Sequence, residues 1–257
     1  MPAHESLSHL DVQGRRIAVK TLPAQTGSAG PGLFWLGGFM SDMAGSKAEH
    51  LALLAAEAGL ANVRFDYSGH GESGGAFEDG TISRWLEEAL AVFEATTSGP
   101  QIVIGSSMGG WLGLLLARAL KARGDARLHA LVLIAPAPDF TEDLMWAQFP
   151  ETVRNEITTT GRFLKPSAYG DTPYTITRDL IEDGRKNRLL GAPLAVGCPV
   201  RILQGAQDED VPWQHALRLV TCLAEDDVVF SLIKDGDHRL SRPQDLERLS
   251  ATVREFF

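Results

Sequence analysis

Gln101-Ile102-Val103-Ile104-Gly105-Ser106-Ser107-Met108-Gly109-Gly110-Trp111-Leu112-Gly113-Leu114-Leu115-Leu116-Ala117 is the stretch on which the reading of the fold turns. The run Gln101 to Ile104 is short, rich in β-branched residues and reads as a buried strand. From Gly110 onward the apolar run is too long for a strand and reads as a buried helix. Between them lies G-x-S-x-G, so the motif sits in the strand–turn–helix context that makes a nucleophile elbow. Small residues two before and two after Ser107 are needed because a strained turn brings neighbouring backbone against the serine. Ser107 is therefore predicted to stand at the sheet edge, with a helix N-terminus behind it that favours developing negative charge.

Outward from this core the pattern alternates. Leu10 to Val12 and Arg16 to Lys20 read as a hairpin turning at Gln13-Gly14. Leu33 to Leu36 is a buried strand ending at Gly37-Gly38, and Ser46 to Ala58 is a helix stopped by Gly59. Asn62 to Phe65 is a strand, and Ile82, Trp85, Leu86, Ala89, Leu90 and Phe93 form one apolar helix stripe. Strands at 130–135, 200–203 and 228–233, a helix from about Trp213 to Leu223 and a last helix bearing Leu246, Leu249, Val253 and Phe256 complete the series. Doubly apolar strands alternating with helices mean an α/β fold, with a mostly parallel eight-stranded sheet covered by helices on both faces. The expectation is one domain over 1–257. Residues 139–197 interrupt the rhythm after the sixth strand and read as a helical lid carrying Leu144, Met145, Trp146, Phe149, Ile157, Phe163, Tyr169 and Tyr174.

Composition excludes several classes. With 44% hydrophobic and 22% charged residues, the 257-residue chain can bury a sizeable core. A net charge of −9 and no basic stripe argue against a nucleic-acid partner. No run of about 18 apolar residues offers a membrane span, and Met1-Pro2-Ala3-His4-Glu5-Ser6 lacks the form of a signal peptide. A cytoplasmic location is the expectation. Cys198 and Cys222 read as buried inert thiols rather than a disulfide framework. No histidine and carboxylate cluster has ligand spacing along the chain, so neither metal nor organic cofactor is expected.

A serine hydroxyl needs a base within hydrogen-bond reach, itself oriented by a carboxylate. Where a G-x-S-x-G elbow serves an α/β-hydrolase, the order along the chain is serine, acid, histidine. Of the seven histidines, His238 follows a late strand, in Lys234-Asp235-Gly236-Asp237-His238. His70 lies in a loop at the same sheet edge and reads as part of a glycine-shaped turn. For the acid, Asp208 lies three residues beyond Gly205, directly after strand 200–203. Asp210 reads as the cap of the helix launched by Val211-Pro212, and Asp139, after the sixth strand, is a further alternative. An oxyanion needs two convergent N–H donors. Met108, after the nucleophile, supplies one; Phe39, or else Met40, supplies the other from the glycine loop after strand 33–36.

Three segments together carry a family resemblance: Gly38-Phe39-Met40-Ser41-Asp42-Met43, Arg64-Phe65-Asp66-Tyr67-Ser68-Gly69-His70-Gly71 and Gly105 to Leu112. They resemble the α/β-hydrolase superfamily, in the branch of the mitochondrial palmitoyl-protein thioesterases that also hydrolyse acyl glucuronides. The resemblance implies an α/β-hydrolase fold and carries the family's triad onto Ser107, Asp208 and His238. Many members have His-Gly where this chain has Gly37-Gly38, so any role of that histidine is missing here. The expected activity is hydrolysis of carboxylic esters or thioesters through an acyl-enzyme; the partner is a small-molecule substrate or an acylated protein. Met40 and the insertion's Met145, Trp146 and Phe149 are the expected substrate-binding surface, favouring apolar acyl chains, and no charged pocket motif is visible. The rival readings are a carbon–carbon bond hydrolase, a peptidase, or a ligand-binding protein with little turnover.

Overall fold

The antiparallel start of the chain follows from its turn. In the computed structural model, which describes residues 4–165 and 173–257, β1 (Ser6–Val12) and β2 (Arg15–Leu22) pair antiparallel. They turn through Gln13 and Gly14, both at positive φ (53° and 80°), the geometry whose twist suits a two-residue hairpin. The parallel strands are β3 (Gly32–Leu36), β4 (Asn62–Phe65), β5 (Gln101–Ser106) and β6 (Leu128–Ile134). Inside the insertion β7 (Arg162–Lys165) and β8 (Tyr174–Thr177) form a separate two-stranded pair, and β9 (Val200–Gly205) and β10 (Val228–Ile233) return to the main sheet. That sheet has eight strands in the order β1-β2-β4-β3-β5-β6-β9-β10. β2 pairs antiparallel with β4, and every neighbour beyond is parallel.

The helices are α1 (Ser46–Ala58), α2 (Ile82–Thr96), α3 (Met108–Ala122), α4 (Glu151–Thr160), α5 (Arg178–Lys186), α6 (Trp213–Cys222) and α7 (Pro243–Arg254). Alternation along the strands sends side chains to two cores. Phe34, Leu36, Val103, Leu131 and Leu133 join α2, α3 and α6 on one face. Leu33, Trp35, Ile102, Ile104, Ala130 and Val132 join α1 and α7 on the other. Doubly buried strands explain why the sequence shows continuous apolar runs rather than alternation. Gly59 ends α1 at φ 69°, as its position in the sequence predicts.

Two local expectations are corrected. The insertion is not wholly helical: besides α4 and α5 it holds a π-turn at Thr141–Met145, a 3-10 turn at Trp146–Gln148 and the β7–β8 pair. Short strands with no long apolar run leave little trace in a sequence. Nor does Asp210 cap α6; Pro212 occupies the cap position, with no side-chain cap bond. Tyr169 lies outside the described residues. Both cysteines are free and buried, and burial pushes the Cys198 thiol up to about 12, which keeps it protonated and inert.

Candidate active site

Loops at the carboxyl ends of the parallel strands meet above β5, the edge where open α/β sheets place their sites. Six non-glycine residues among those described have positive φ. Gln13 is the hairpin turn; Met40, Ser107, Ala135, Asp139 and Leu240 all follow the ends of β3, β5, β6 and β10. Strain of this kind persists only where surrounding structure imposes it, and its concentration at one edge marks a functional region.

Ser107 has φ 54° and ψ −115°. Its N–H donates to the Ile134 carbonyl at 2.9 Å, and its own carbonyl accepts from Gly110 and Ala137 at 2.9 and 3.1 Å. The glycines around it are sterically obligatory. A Cβ on Gly105 would stand 2.3 Å from the Gly109 carbonyl oxygen, and one on Gly109 would stand 2.1 Å from that of Leu36. Backbone cannot yield as a flexible side chain does. Gly109→Ala is therefore expected to cost about 3 kcal/mol through overpacking, lowering Tm by at least about 6 °C; an unchanged melting curve counts against this packing.

Asp208 and His238 stand in line with the serine. His238 Nε2 lies 3.1 Å from Ser107 Oγ, and His238 Nδ1 lies 2.9 Å from Asp208 Oδ2. The Asp208 carboxylate is buried and fully engaged. Its Oδ1 accepts from the N–H groups of Asp210 and Val211 at 3.0 and 2.7 Å, while Oδ2 also accepts from Gln204 Nε2 at 3.0 Å. Such an arrangement lets the imidazole take the serine proton while the carboxylate fixes its tautomer. Asp139 is occupied elsewhere: its oxygens accept from the N–H groups of Leu189 and Leu190 at 2.8 and 2.9 Å. It thereby ties the start of the insertion to its end.

The glycine loop lies directly against the nucleophile, since a Cβ on Gly38 would stand 3.5 Å from Ser107 Cβ. The choice between Phe39 and Met40 turns on His70. The Met40 N–H donates to His70 Nε2 at 3.2 Å, while His70 Nδ1–H donates to the Ser68 carbonyl at 3.2 Å. Burial pushes the His70 pKa down, in keeping with the neutral ring that both contacts require. Met40 N–H is thus spent, whereas the N–H groups of Phe39 and Met108 donate to nothing among the described residues. The Met108 N–H is one of the free donors that every helix N-terminus leaves.

A cavity of about 330 Å³ opens beside Ser107 and His238. Met40 lines it, but Met145, Trp146 and Phe149 do not. Met145 is buried in the core, Trp146 stacks under the Arg185 guanidinium at 4.8 Å, and Phe149 meets Phe163 at 6.0 Å. Lys47 and Arg239 stand in the wall instead; the two lie far apart along the chain, so no motif in the sequence announces this charged lining. Asp208, Asp210 and His238 also bring ligand-type atoms within 4.8 Å of one another, a grouping that spacing along the chain did not reveal. The oxygens of Asp208 are already engaged by His238 Nδ1, Gln204 Nε2 and two backbone N–H groups.

Five residues of this region escaped the sequence reading: Lys47, Arg239, Asp66, His70 in its supporting role, and Gln204. Asp66 accepts from the Met43 and Glu72 N–H groups at 2.7 and 2.8 Å, joining two loops of the site. Gln204 alone left a signal, as a polar residue ending an apolar strand.

The model of the alpha/beta hydrolase family matches residues 27–249. The chain belongs to the alpha/beta hydrolase family. As a member of that family it is a hydrolase, with the fold anticipated from its sequence. The mouse mitochondrial palmitoyl-protein thioesterase is 36% identical over 238 residues, covering 92% of this chain and 77% of that protein. The human counterpart is 34% identical over 224 residues, covering 87% and 72%. Among solved structures, a putative hydrolase from Agrobacterium vitis S4 superposes with a TM-score of 0.93 at 49% identity, covering 100% of this chain and 99% of that one. The alpha/beta hydrolase domain-containing protein 10 from mouse gives 0.85 at 34% identity, with 97% of each chain covered. The expectation of an ester- or thioester-hydrolysing enzyme agrees with these relatives. The expectation of a cytoplasmic protein does not: the curated relatives, at 34–36% identity, are mitochondrial. No helix among the described residues is long and apolar enough to cross a membrane.

Proposed function

We propose that this hydrolase cleaves carboxylic ester or thioester bonds of apolar acyl groups, forming an acyl-enzyme on Ser107. His238 Nε2 takes the proton from Ser107 Oγ as the oxygen attacks the carbonyl carbon. Asp208 holds the imidazole through Nδ1 and balances the positive charge that develops. The N–H groups of Phe39 and Met108 receive the oxyanion. His238 protonates the departing alcohol or thiol, then takes a proton from water as that water attacks the acyl carbon, and returns it to Ser107 Oγ as the acyl–Oγ bond breaks and the acid leaves. The observation that carries this reading is the unbroken chain of contacts from Asp208 through His238 to Ser107, at 2.9 and 3.1 Å. The name of the curated relatives, palmitoyl-protein thioesterase, supports the acyl class.

The insertion acts in this proposal as a lid over the acyl chain, whose path begins at Met40 in the cavity wall. The support is that the Phe39 ring, on the oxyanion loop, meets two insertion residues: Phe140 at 5.6 Å and Tyr174 at 5.9 Å. Substrate is a small-molecule ester or thioester, or an acylated protein. Each methylene buried adds up to ~0.8 kcal/mol of transition-state binding. A panel of aryl esters and thioesters of graded chain length tests this, with Tyr174→Ala, which removes an insertion ring from Phe39, as the probe. The variant is expected to lower kcat/KM for long acyl chains more than for acetyl. Equal losses, or a wild-type enzyme fastest on acetyl and inert to longer chains, sink the acyl lid. Labelling by a fluorophosphonate without ester turnover points instead to a carbon–carbon bond hydrolase, a peptidase or a ligand-binding protein.

A further inference from the structure

His238 sits on a short, strained loop between β10 and α7. Two residues later Leu240 has φ 44°, in the left-handed region that side chains with a Cβ avoid. One side of this loop rests on β9: the Gln207 N–H donates to the Gly236 carbonyl at 2.9 Å. A Cβ on Gly205 would stand 2.4 Å from the same oxygen, so the two backbones touch. Within the loop, the Leu240 N–H donates to Asp237 Oδ1 at 2.9 Å.

The other side is held from a distant element. Lys47, in the first turn of α1, donates from Nζ to the Arg239 carbonyl and to Ser241 Oγ, the latter at 3.3 Å. Ser241 Oγ donates in turn to the Arg239 carbonyl at 3.0 Å. One ammonium thus closes a triangle on the residue that follows His238, across 192 positions of sequence. A left-handed residue beside a reacting group stays put only when contacts outside the loop over-determine it. Lys47 also belongs to α1, which follows the oxyanion loop, so it couples the two halves of the site.

We propose that Lys47 is a positioning residue for the hydrolysis, holding the strained 238–241 turn so that His238 Nε2 keeps its reach to Ser107. The proposal rests on the triad reading above. A displacement of about 1 Å at a reacting group costs on the order of 10²-fold in rate, so a modest loosening of this turn is visible in kcat.

The charge of Lys47 is within reach of titration. Burial, and then the neighbouring Arg239, push its pKa down to about 8, with Asp237 and Asp245 acting in the opposite sense. Asp245, on α7, is itself paired with Arg242 and Arg248. His50, further along α1, faces Ser250 of α7 at 2.6 Å, and Asp42 shares the cavity wall with Lys47 and Arg239. As pH rises through about 8, the ammonium gives way to an amine with one proton fewer to donate.

The test compares wild type, Lys47→Met, Lys47→Arg and Ser241→Ala by kcat, KM and kcat–pH profiles on an aryl ester, with fluorophosphonate labelling of Ser107 and thermal melts alongside. Lys47→Met is expected to lower kcat and the labelling rate about 10- to 100-fold with KM nearly unchanged. Wild type is expected to lose kcat above pH about 8; Lys47→Met lacks that limb. Lys47→Arg, a donor that stays charged, restores kcat to within a few-fold and is also without the limb. Ser241→Ala gives a smaller fall in kcat, and it carries the comparison if Lys47→Met does not fold. Wild-type kcat in both Lys47→Met and Ser241→Ala overturns the proposal. So does a change confined to KM, which makes Lys47 a reader of substrate. A wild-type enzyme that neither labels at Ser107 nor turns over ester overturns the triad reading first, and the role of Lys47 with it.

Discussion

Ser107→Ala is expected to leave a folded protein whose ester hydrolysis falls by at least ~10³-fold, as loss of a triad nucleophile does. The substitution removes only Oγ, which lies 3.1 Å from His238 Nε2. The backbone contacts that hold the turn, from Gly110 and Ala137 to the Ser107 carbonyl and from the Ser107 N–H to Ile134, are untouched. The melting temperature is therefore expected to stay near that of wild type, or to rise where alanine relieves the site. Residual activity, from the oxyanion donors and binding alone, remains above the uncatalysed rate. Turnover near wild type in Ser107→Ala removes this serine from the mechanism, whatever the state of the fold.

The second large effect belongs to the acid. Asp208→Asn is expected to reduce kcat by about 10³- to 10⁴-fold, since an amide can hold the imidazole in the wrong tautomer. Asp208 Oδ1 already accepts two backbone N–H groups and Oδ2 accepts Gln204 Nε2. An amide nitrogen introduced at either position faces a donor. Asp210→Asn and Asp139→Asn are expected to stay within about tenfold of wild-type kcat, because the hydrogen bond to His238 Nδ1 comes from Asp208. Asp139→Asn differs in kind. It puts a donor where two N–H groups, of Leu189 and Leu190, now meet carboxylate oxygens, so its loss is read in thermal stability. If Asp139→Asn is the severe kinetic variant instead, the acid comes from the end of β6 and this assignment fails.

Much of the site was legible because its parts are announced locally. A G-x-S-x-G between a β-branched run and a long apolar helix can adopt few geometries, and the glycines at 105 and 109 are demanded by contacts of 2.3 and 2.1 Å. His238 and Asp208 were found the same way, each in a loop after a late strand, β10 at the sheet edge and the buried β9. The reading failed where the partner is remote. Asp210 looked like the cap of α6, yet Pro212 stands there. His70 read as a residue of a turn, yet it accepts the Met40 N–H from 30 positions away. The insertion's aromatic residues read as pocket lining, while Lys47 and Arg239, unremarked in the sequence, stand in the cavity wall.

By itself, the sequence determined the order of strands and helices outside the insertion, the two-sided burial of the central strands and the strained turn at Ser107. These depend on apolar periodicity and on the φ angles that glycine allows, both of which act within a few residues. Only the tertiary structure decided that the Met40 N–H is taken up by His70, which carboxylate meets the imidazole and what lines the cavity. Those contacts span 30 to 192 positions, and a hydrogen bond is satisfied by whichever partner the packed sheet delivers within about 3 Å, a distance that no spacing along the chain encodes.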